Sequence, residues 1–309
     1  MYNWYSFKPN DTLFFRGAEP MVKGEDHSSN FIFPPPTHTI AGAIRTYFYN
    51  LDKKNNDNKY SSIIKIGEEY GGFNLIGPFF KVNESIYIPA PYSWFIEKNS
   101  KEKNKDKFGR IDGKFQVIKS YHLKTPLIKN SSGILYWAKG EDELESTGSF
   151  WMNLEDLYTD KSVVELKETA CFYSSEIRTG IALNKDHTVR KSHIYSFNHC
   201  RLKNDVSLLF GIDIDELGDS GILTLGAEQR FGKYKKENLK INLDRDGDLF
   251  MSLSLMPVSP QTNSSVISTG KIHYIGGWDL HKGFHKPMKG YFPAGTVFSE
   301  NFNNCIRIS

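Results

Sequence analysis

Apolar residues along most of the chain either alternate with polar residues or cluster in runs of strand length. Turn-forming residues bound most of these runs, and that combination predicts short β-strands rather than long helices. The runs span residues 4–17, 84–96, 114–123, 133–140, 178–184, 193–202, 206–214, 221–226 and 250–258.

Residues 239–255 carry two apolar stretches around the sequence DRDGD. Because Asp-Gly is a favoured hairpin dipeptide, this segment predicts two strands joined by a tight turn. Polar stretches at 51–62, 97–110 and 257–270 predict loops, and 97–110 is the strongest candidate for disorder.

Helical periodicity is clearest after the proline triplet at residues 34–36, where apolar side chains recur on one face. Thr37 or Thr39 is the predicted N-cap of this helix. Gly42 weakens a helix by about 1 kcal/mol relative to alanine, so we expect it to mark close packing. The apolar stripe consists of Ile40, Ile44, Tyr47 and Phe48. A second helix is predicted over 149–160. Many strands with few helices predict an α+β architecture.

Composition describes an ordinary globular chain of 309 residues with a net charge of +3 and 39% hydrophobic residues. A chain of this length favours two domains. No run approaches the roughly 18–20 apolar residues of a membrane helix, and the N-terminus lacks the features of an export signal. The three cysteines form no CxxC motif. We therefore expect a cytoplasmic protein without a disulfide framework.

The basic residues are unevenly distributed. Residues 98–139 carry eleven basic and three acidic side chains, and an acidic run at 141–145 follows at once. A local basic excess can hold a phosphate backbone even when the whole protein is almost neutral. The alternative for residues 98–107 is a solvated insertion loop whose lysines maintain solubility.

Motifs for phosphate loops, dinucleotide binding, zinc proteases and serine hydrolases are absent from the sequence. Asp244, Asp246 and Asp248 have the alternate spacing of a calcium loop, but its glycine and its final glutamate are missing. His281 and His285 lie in a segment with Gly283 that argues against a metal-binding helix. The sequence thus predicts no catalytic residues, no metal site and no cofactor.

Four segments combine glycine, an aromatic or proline stretch and a cation. They are DTLFFRGAEPM at 11–21, FIFPPPTHTIAGAIRT at 31–46, GILTLGAEQRFGKYKK at 221–236 and GGWDLHKGFHKPMKGYFPAGTVF at 276–298. Glycine lets backbone N–H groups approach phosphates or bases closely. Each segment taken alone is equally consistent with a turn that carries a solvated charge.

The order of these segments, with RTGIALN at 178–184 between them, resembles one family. It is similar to the third subunit of Cmr-type (type III-B) CRISPR effector complexes, in the repeat-associated mysterious protein (RAMP) superfamily. The resemblance spans residues 11 to 298. It implies two ferredoxin-like (RRM-related) domains, which we place at 1–162, with a basic insertion near 97–110, and at 163–309.

The resemblance also implies a non-catalytic RNA-binding subunit that grips the repeat-derived 5′ handle of the CRISPR RNA. Its implied protein partners are the large polymerase/cyclase-like subunit and the first subunit of the backbone filament. Handle binding is carried over to Arg16, His38, Arg45, Arg178, Arg230 and Lys286. Glycine-rich loops are expected around Gly42, Gly226, Gly232, Gly276 and Gly277. For each arginine, the alternative is an intramolecular salt bridge.

Two other functions remain open from the sequence. One is a metal-independent endoribonuclease of the same superfamily, with His38 as general acid or base and Arg45 or Lys286 stabilising the phosphate. The other is a protein-binding adaptor whose basic stretch is only a soluble surface.

Overall fold

The computed structural model describes residues 2–15, 28–29, 32–65, 71–123, 135–279 and 283–308. Within them, the helices are α1 (Thr37–Asn55), α2 (Ser61–Ile64), α3 (Lys98–Lys103), α4 (Leu154–Tyr158), α5 (Pro260–Ser265) and a 3₁₀ turn at Thr169–Cys171. The strands in the first half are β1 (Asn3–Pro9), β2 (Ser28–Ser29), β3 (Leu75–Val82), β4 (Ser85–Pro89), β5 (Trp94–Glu97), β6 (Asp112–Gln116), β7 (Ile118–Lys119), β8 (Tyr121–His122), β9 (Tyr136–Trp137), β10 (Leu144–Ser146) and β11 (Phe150–Asn153). Those in the second half are β12 (Val163–Glu168), β13 (Tyr173–Leu183), β14 (Val189–Leu202), β15 (Val206–Ile212), β16 (Ser220–Thr224), β17 (Phe231–Glu237), β18 (Leu249–Ser252), β19 (Met256–Pro257), β20 (Val266–Ser268), β21 (His273–Asp279), β22 (Phe284–Phe292), β23 (Val297–Phe298) and β24 (Cys305–Ile308). The fold is α+β, as the sequence predicted.

The chain divides into two compact units, each built from three separate segments. Unit 1 comprises residues 1–75, 173–237 and 275–288, and unit 2 comprises 76–172, 238–274 and 289–309. Strands β11 and β12 pair directly with each other inside unit 2. Both units are thus discontinuous along the chain, whereas the domain boundary expected after residue 162 divides it into two continuous parts.

In unit 1, antiparallel strands run in the order β16, β17, β1 and β15. Helix α1 lies against β16 and contributes the buried side chains Ile40, Ile44 and Phe48. On the sheet, Tyr5 stacks on Phe210 with ring centroids 5.8 Å apart. The predicted apolar stripe of α1 is thus its buried face, with Tyr47 half-buried beside it.

Strands β13 and β14 form a long antiparallel ladder in unit 1. Glu176 pairs with His199, and the neighbouring pairs on the same face are Ser174 with Arg201 and Arg178 with Phe197. Directly opposed residues in an antiparallel pair share a face of the sheet. One face of this ladder therefore carries Glu176, Arg178, His199 and Arg201.

In unit 2, antiparallel strands run in the order β3, β4, β11, β12 and β6. Phe80 stacks on Phe172 at 4.1 Å with nearly parallel rings, and Trp151 packs edge-on against Phe80 at 4.6 Å. Three aromatic side chains thus form the centre of this core.

The hairpin predicted over 239–255 is wrong. Residues 238–248 form no strand, and β18 pairs instead with β23 and β24 from the end of the chain. The Asp-Gly dipeptide is only a local turn signal. Both edges of β18 pair with the distant strands β23 and β24, so no edge is left for a local hairpin partner.

Several predictions for helices and loops are corrected. Helix α1 begins after Pro36, which occupies the N-cap position, and no side chain caps it. The predicted helix at 149–160 is β11 followed by the short α4. The predicted loop at 51–62 contains the last turn of α1 and the start of α2.

The other two predicted loops also contain regular structure. Segment 97–110 forms α3, and segment 257–270 forms α5 and β20. A capping box between Ser259 and Thr262 starts α5, with Pro260 as its first residue. Such a cap satisfies the backbone donors of the first turn, so the polar composition here marks a helix start and not a loop.

Within the described ranges, no helix combines the length and the apolarity needed to cross a membrane.

Candidate functional site

The segment that follows β1 is fixed on both sides by backbone hydrogen bonds. Leu13 and Cys200 of β14 exchange two N–H to carbonyl bonds of 2.8 Å each. The Phe14 carbonyl accepts the Ala227 N–H at 2.8 Å. Residues 11–15 therefore lie between β14 and the turn that joins β16 to β17.

That turn holds two consecutive non-glycine residues in the left-handed region. Glu228 and Gln229 have φ of 56° and 52°, and the Arg230 N–H donates to the Ala227 carbonyl at 3.3 Å. Positive φ at both central residues is characteristic of a type I′ hairpin turn, which usually takes asparagine, aspartate or glycine. Such conformations cost on the order of 1–2 kcal/mol per residue, and the turn carries Glu228 and Arg230 towards the segment 11–15.

Four side chains form an alternating ring of charges beside this segment. The Asp11 carboxylate accepts Nη2 of Arg178 at 2.9 Å and Nη2 of Arg201 at 2.8 Å, one on each oxygen. The Glu176 carboxylate accepts Nε of Arg178 at 2.8 Å and Nε of Arg201 at 2.9 Å, again one on each oxygen. Each carboxylate thus bridges the two guanidinium groups, Asp11 at their Nη2 atoms and Glu176 at their Nε atoms.

Arg230 joins the ring from the turn. Its Nη1 donates to Asp11 at 3.2 Å and its Nη2 to Glu228 at 2.7 Å. Its Nε is buried and has no hydrogen-bond partner among the described residues. We call the resulting group the Asp11 cluster; it comprises Asp11, Glu176, Arg178, Arg201, Glu228 and Arg230.

The arginines hold the Asp11 and Glu176 carboxylates in their charged form. Partial burial by itself raises the pKa of Asp11, but hydrogen bonds from Arg178 and Arg201 outweigh it and lower that pKa below its ordinary value. Hydrogen bonds from the same two arginines lower the pKa of Glu176. With three carboxylates and three guanidinium groups, the Asp11 cluster is balanced in charge near neutral pH.

His199 lies beneath this group and is almost completely buried, with 1% of its surface exposed. Its Nδ1 lies 3.0 Å from the Thr12 hydroxyl, and its ring stacks on Phe14 with centroids 5.2 Å apart. Burial lowers the pKa of His199, and the nearby Arg230 cation lowers it further. The imidazole is therefore neutral near pH 7 and serves as a packed, hydrogen-bonded support.

The structure brings two of the sequence-predicted residues, Arg178 and Arg230, to the same carboxylate. Arg45 on α1 instead donates Nε to the Ile64 carbonyl at 2.6 Å and Nη2 to the Lys65 carbonyl at 2.8 Å. These bonds satisfy carbonyls at the end of α2, as a cation at a helix C-terminus does.

The remaining predicted side chains lie elsewhere in the chain. His38 is half-buried at the second position of α1, and Lys286 is exposed on β22. Both belong to unit 1, as do Arg45, Arg178 and Arg230. Arg16 lies outside the described residues.

Of the predicted glycine loops, only Gly226 lies in a turn. Its φ is 97°, and a Cβ there would lie 2.9 Å from the Phe14 carbonyl oxygen. Gly232 is in β17, where a Cβ would meet the Lys8 carbonyl oxygen at 2.5 Å, so it permits strand pairing.

The expectation that Gly42 marks close packing is wrong, because it lies in α1 and a Cβ there would have nothing within 4 Å. Gly276 and Gly277 are strand residues of β21, and their nearest neighbours would be at ordinary contact distances.

Sequence motifs do not identify Arg201, Asp11 and Glu176 as members of a site. Asp11 is the first residue of the glycine-containing segment 11–21, and Glu176 lies two residues before Arg178. The usable signal was alternation, because Glu176 and Arg178 are two apart on β13 and His199 and Arg201 are two apart on β14. Only the register of the ladder shows that these pairs share a face.

Lysines of the basic stretch are partly paired with acidic residues of unit 2. Lys98 contacts Glu143 at 3.0 Å and Lys101 contacts Glu145 at 2.7 Å. Lys119 pairs with Asp160 and lies over the Trp94 ring. The acidic run that follows the basic stretch in sequence thus neutralises part of it in the fold.

Among the described residues, no group of three or more histidine, cysteine, aspartate or glutamate side chains is arranged to hold a metal ion.

Comparison with known proteins gives one family and a consistent set of structures. The family model for "CRISPR-associated protein (Cas_Cmr3)" matches residues 5–246. No curated protein matches the chain. A chain in the cryo-EM structure of the type III-B Cmr-beta bound to cognate target RNA is 18% identical, with a TM-score of 0.58, and the match covers 96% of this chain and 86% of that one.

A second cryo-EM structure of the type III-B Cmr-beta, bound to cognate target RNA and AMPPnP, contains a chain that is 17% identical, with a TM-score of 0.57. That match covers 96% of this chain and 85% of the other. At these identities the two structures establish that the fold is shared.

Proposed function

Because the chain belongs to the Cas_Cmr3 family of CRISPR-associated proteins, we propose that it is a non-catalytic RNA-binding subunit of a type III-B CRISPR ribonucleoprotein. In this role it holds the repeat-derived 5′ handle of the CRISPR RNA. It docks on the large polymerase/cyclase-like subunit and meets the first subunit of the backbone filament. The shared fold with chains of the type III-B Cmr-beta bound to target RNA supports this assignment.

The observation that carries the proposal is the convergence of Arg178 and Arg230 on Asp11. These arginines come from β13 and from the β16–β17 turn, far apart in sequence, and they meet at one partly exposed group. Arginine forks match phosphate geometry, and unpaired RNA is bound by loops, stacking and hydrogen bonds and not by a helix in a groove. The Asp11 cluster is therefore the proposed centre of the RNA site.

Other proposed contacts with the handle lie on the same unit. Lys286 is exposed on β22, and His38 lies in the first turn of α1, where the backbone N–H groups favour anions. Arg16 is proposed from the family resemblance alone. Arg45 is proposed at lower priority, since it already donates to two backbone carbonyls.

A binding experiment tests handle recognition. The chain is co-purified with the large subunit and offered CRISPR RNA or an RNA of equal length with a scrambled handle. Tighter binding of the intact handle is expected, and equal affinity for both RNAs would refute handle recognition.

The purified chain by itself tests the absence of catalysis. Repeat RNA incubated with the purified chain in EDTA should remain intact. Cleavage that disappears in a His38→Ala variant would replace the proposal with a metal-independent endoribonuclease.

A further inference from the structure

We propose that Arg178 and Arg201 together form one phosphate-binding site for single-stranded RNA, in which Asp11 and Glu176 act as positioning residues. This inference rests on the proposed function and adds Arg201, which neither the motifs nor the family resemblance indicated. It also divides the Asp11 cluster into groups that contact RNA and groups that orient them.

Counting the donors of each guanidinium shows which atoms remain for a ligand. An arginine side chain has five N–H donors. Arg178 directs Nε to Glu176 and Nη2 to both Glu176 and Asp11, and Arg201 makes the same set of contacts. Among the described residues, neither Nη1 group has a hydrogen-bond partner. The side chain of Arg178 is 33% exposed and that of Arg201 is 44% exposed, so solvent reaches both side chains that carry the unused donors.

Arg230 differs in this respect. Both of its terminal nitrogens are paired, with Asp11 and with Glu228, and its side chain is only 20% exposed. We therefore assign Arg230 to holding Asp11 in place and assign direct phosphate contact to Arg178 and Arg201.

The ring of carboxylates fixes both guanidinium groups before RNA arrives. Each carboxylate touches both arginines, so neither guanidinium can rotate without breaking contacts to Asp11 and Glu176. The arginines lie on adjacent paired strands, β13 and β14, which fix their spacing. Preorganised groups lose less conformational entropy on binding, and this favours a ligand whose acceptors match the fixed donors.

A phosphate diester is the ligand that fits these donors. Each arginine keeps the N–H donors of its Nη1 group for a ligand, and charge-assisted bonds from two such groups can be accepted by the oxygens of one phosphate. Because the Asp11 cluster is balanced in charge, it attracts anions by contact and not through a long-range field. The site thus selects a phosphate that is already held nearby by the rest of the RNA.

The first experiment measures the dependence of RNA affinity on salt in the assembled complex. Arg201→Gln should weaken binding of the CRISPR RNA roughly tenfold. It should also reduce the slope of log K against log salt by about 0.7, the value for one lost phosphate contact on a single strand. Arg307→Gln, which removes an exposed arginine of β24 in unit 2, is the matched control and should leave both quantities unchanged.

The second experiment tests positioning with Asp11→Asn. This change removes one negative charge and so raises the net charge by one, and simple electrostatics therefore predicts tighter RNA binding. If Asp11 orients Arg178 and Arg201, its replacement should instead weaken RNA binding and reduce the salt slope, despite the higher net charge. A variant that melts earlier but binds RNA as tightly as the wild type, or more tightly, would show a purely structural network and overturn the positioning role. If Asp11→Asn does not assemble, Glu176→Gln serves the same purpose.

The outcomes separate this inference from the proposed function. A handle preference that persists while Arg201→Gln changes nothing would overturn the phosphate site and leave handle recognition standing. A reduced salt slope with no handle preference would leave the phosphate site and refute handle recognition. Loss of the large subunit from Arg201→Gln preparations with an unchanged salt slope would assign the site to protein contact and overturn the inference.

Discussion

Asp11 connects three separate elements of unit 1. Its carboxylate contacts Arg178 on β13, Arg201 on β14 and Arg230 in the β16–β17 turn. Breaking one partner of such a network leaves the remaining charges without compensation, so its members depend on one another. The single aspartate therefore links the three arginines of the Asp11 cluster.

His199 makes the stability of this region sensitive to mild acid. Because burial and the Arg230 cation lower its pKa in the folded protein, the unfolded chain binds a proton more readily. The contribution to stability is complete above the ordinary histidine pKa of about 6.5 and is lost as the pH falls below that value towards the folded pKa. We predict that the melting temperature falls between pH 7.5 and 5.5, and that His199→Gln reduces this fall, as measured by thermal denaturation.

The matched control for this pH dependence is His122→Gln, which changes an exposed histidine of β8. It should retain the wild-type dependence of melting temperature on pH. Equal pH dependence in His199→Gln and the wild type would show that His199 is not the titrating group.

At the scale of elements, local patterns were predictable and long-range pairings were not. The stripe of Ile40, Ile44 and Phe48 on α1 follows from helical spacing, and it is buried in the structure. The turn signal at DRDGD failed because the partners of β18 are β23 and β24, which lie some fifty residues further along the chain. Strand pairing depends on packing against residues that are distant in sequence, and a short stretch of sequence does not show these residues.

In the candidate site, too, local patterns were predictable and long-range contacts were not. Arg178 and Arg230 stood out through motifs, whereas Arg201 did not, because its role depends on the register of β14 and on a contact with Asp11 across 190 residues. Alternation within β14 places His199 and Arg201 on one face, but it does not identify what that face meets.

Helix α1 offers a stabilising substitution at Gly42. A Cβ at this position would meet nothing within 4 Å, so Gly42→Ala adds helix propensity without a clash. We predict an increase in the free energy of unfolding of about 0.5–1 kcal/mol, as measured by chemical denaturation.

Gly226→Ala provides the contrast at a turn. Here φ is 97° and a Cβ would approach the Phe14 carbonyl oxygen to 2.9 Å, so alanine should lower the free energy of unfolding by about 1–2 kcal/mol or more. Effects of the same sign at Gly42 and Gly226 would contradict this account of the two glycines.

At the scale of the whole molecule, charge is arranged in balanced local groups. The net charge is only +3, the Asp11 cluster is neutral in unit 1, and the basic stretch of unit 2 is partly paired with the acidic run 141–145. The composition of residues 98–139 suggested a broad basic patch, because sequence counting cannot show which lysines have acidic neighbours in space. If the chain binds RNA as proposed, this arrangement predicts that affinity depends on a few defined contacts and not on a diffuse field.

This arrangement predicts that pairs in the basic stretch are dispensable for RNA binding. The double variant Lys98→Gln with Glu143→Gln removes one ion pair and keeps the net charge of the chain. Since both side chains are more than half exposed and neutralise each other, the affinity of the assembled complex for CRISPR RNA and the salt slope should match the wild type. Titrations at several salt concentrations, run beside Arg201→Gln, make the comparison. If the double variant lost as much slope as Arg201→Gln, α3 would contact the RNA directly, and the proposed RNA surface would extend beyond the Asp11 cluster to the basic stretch.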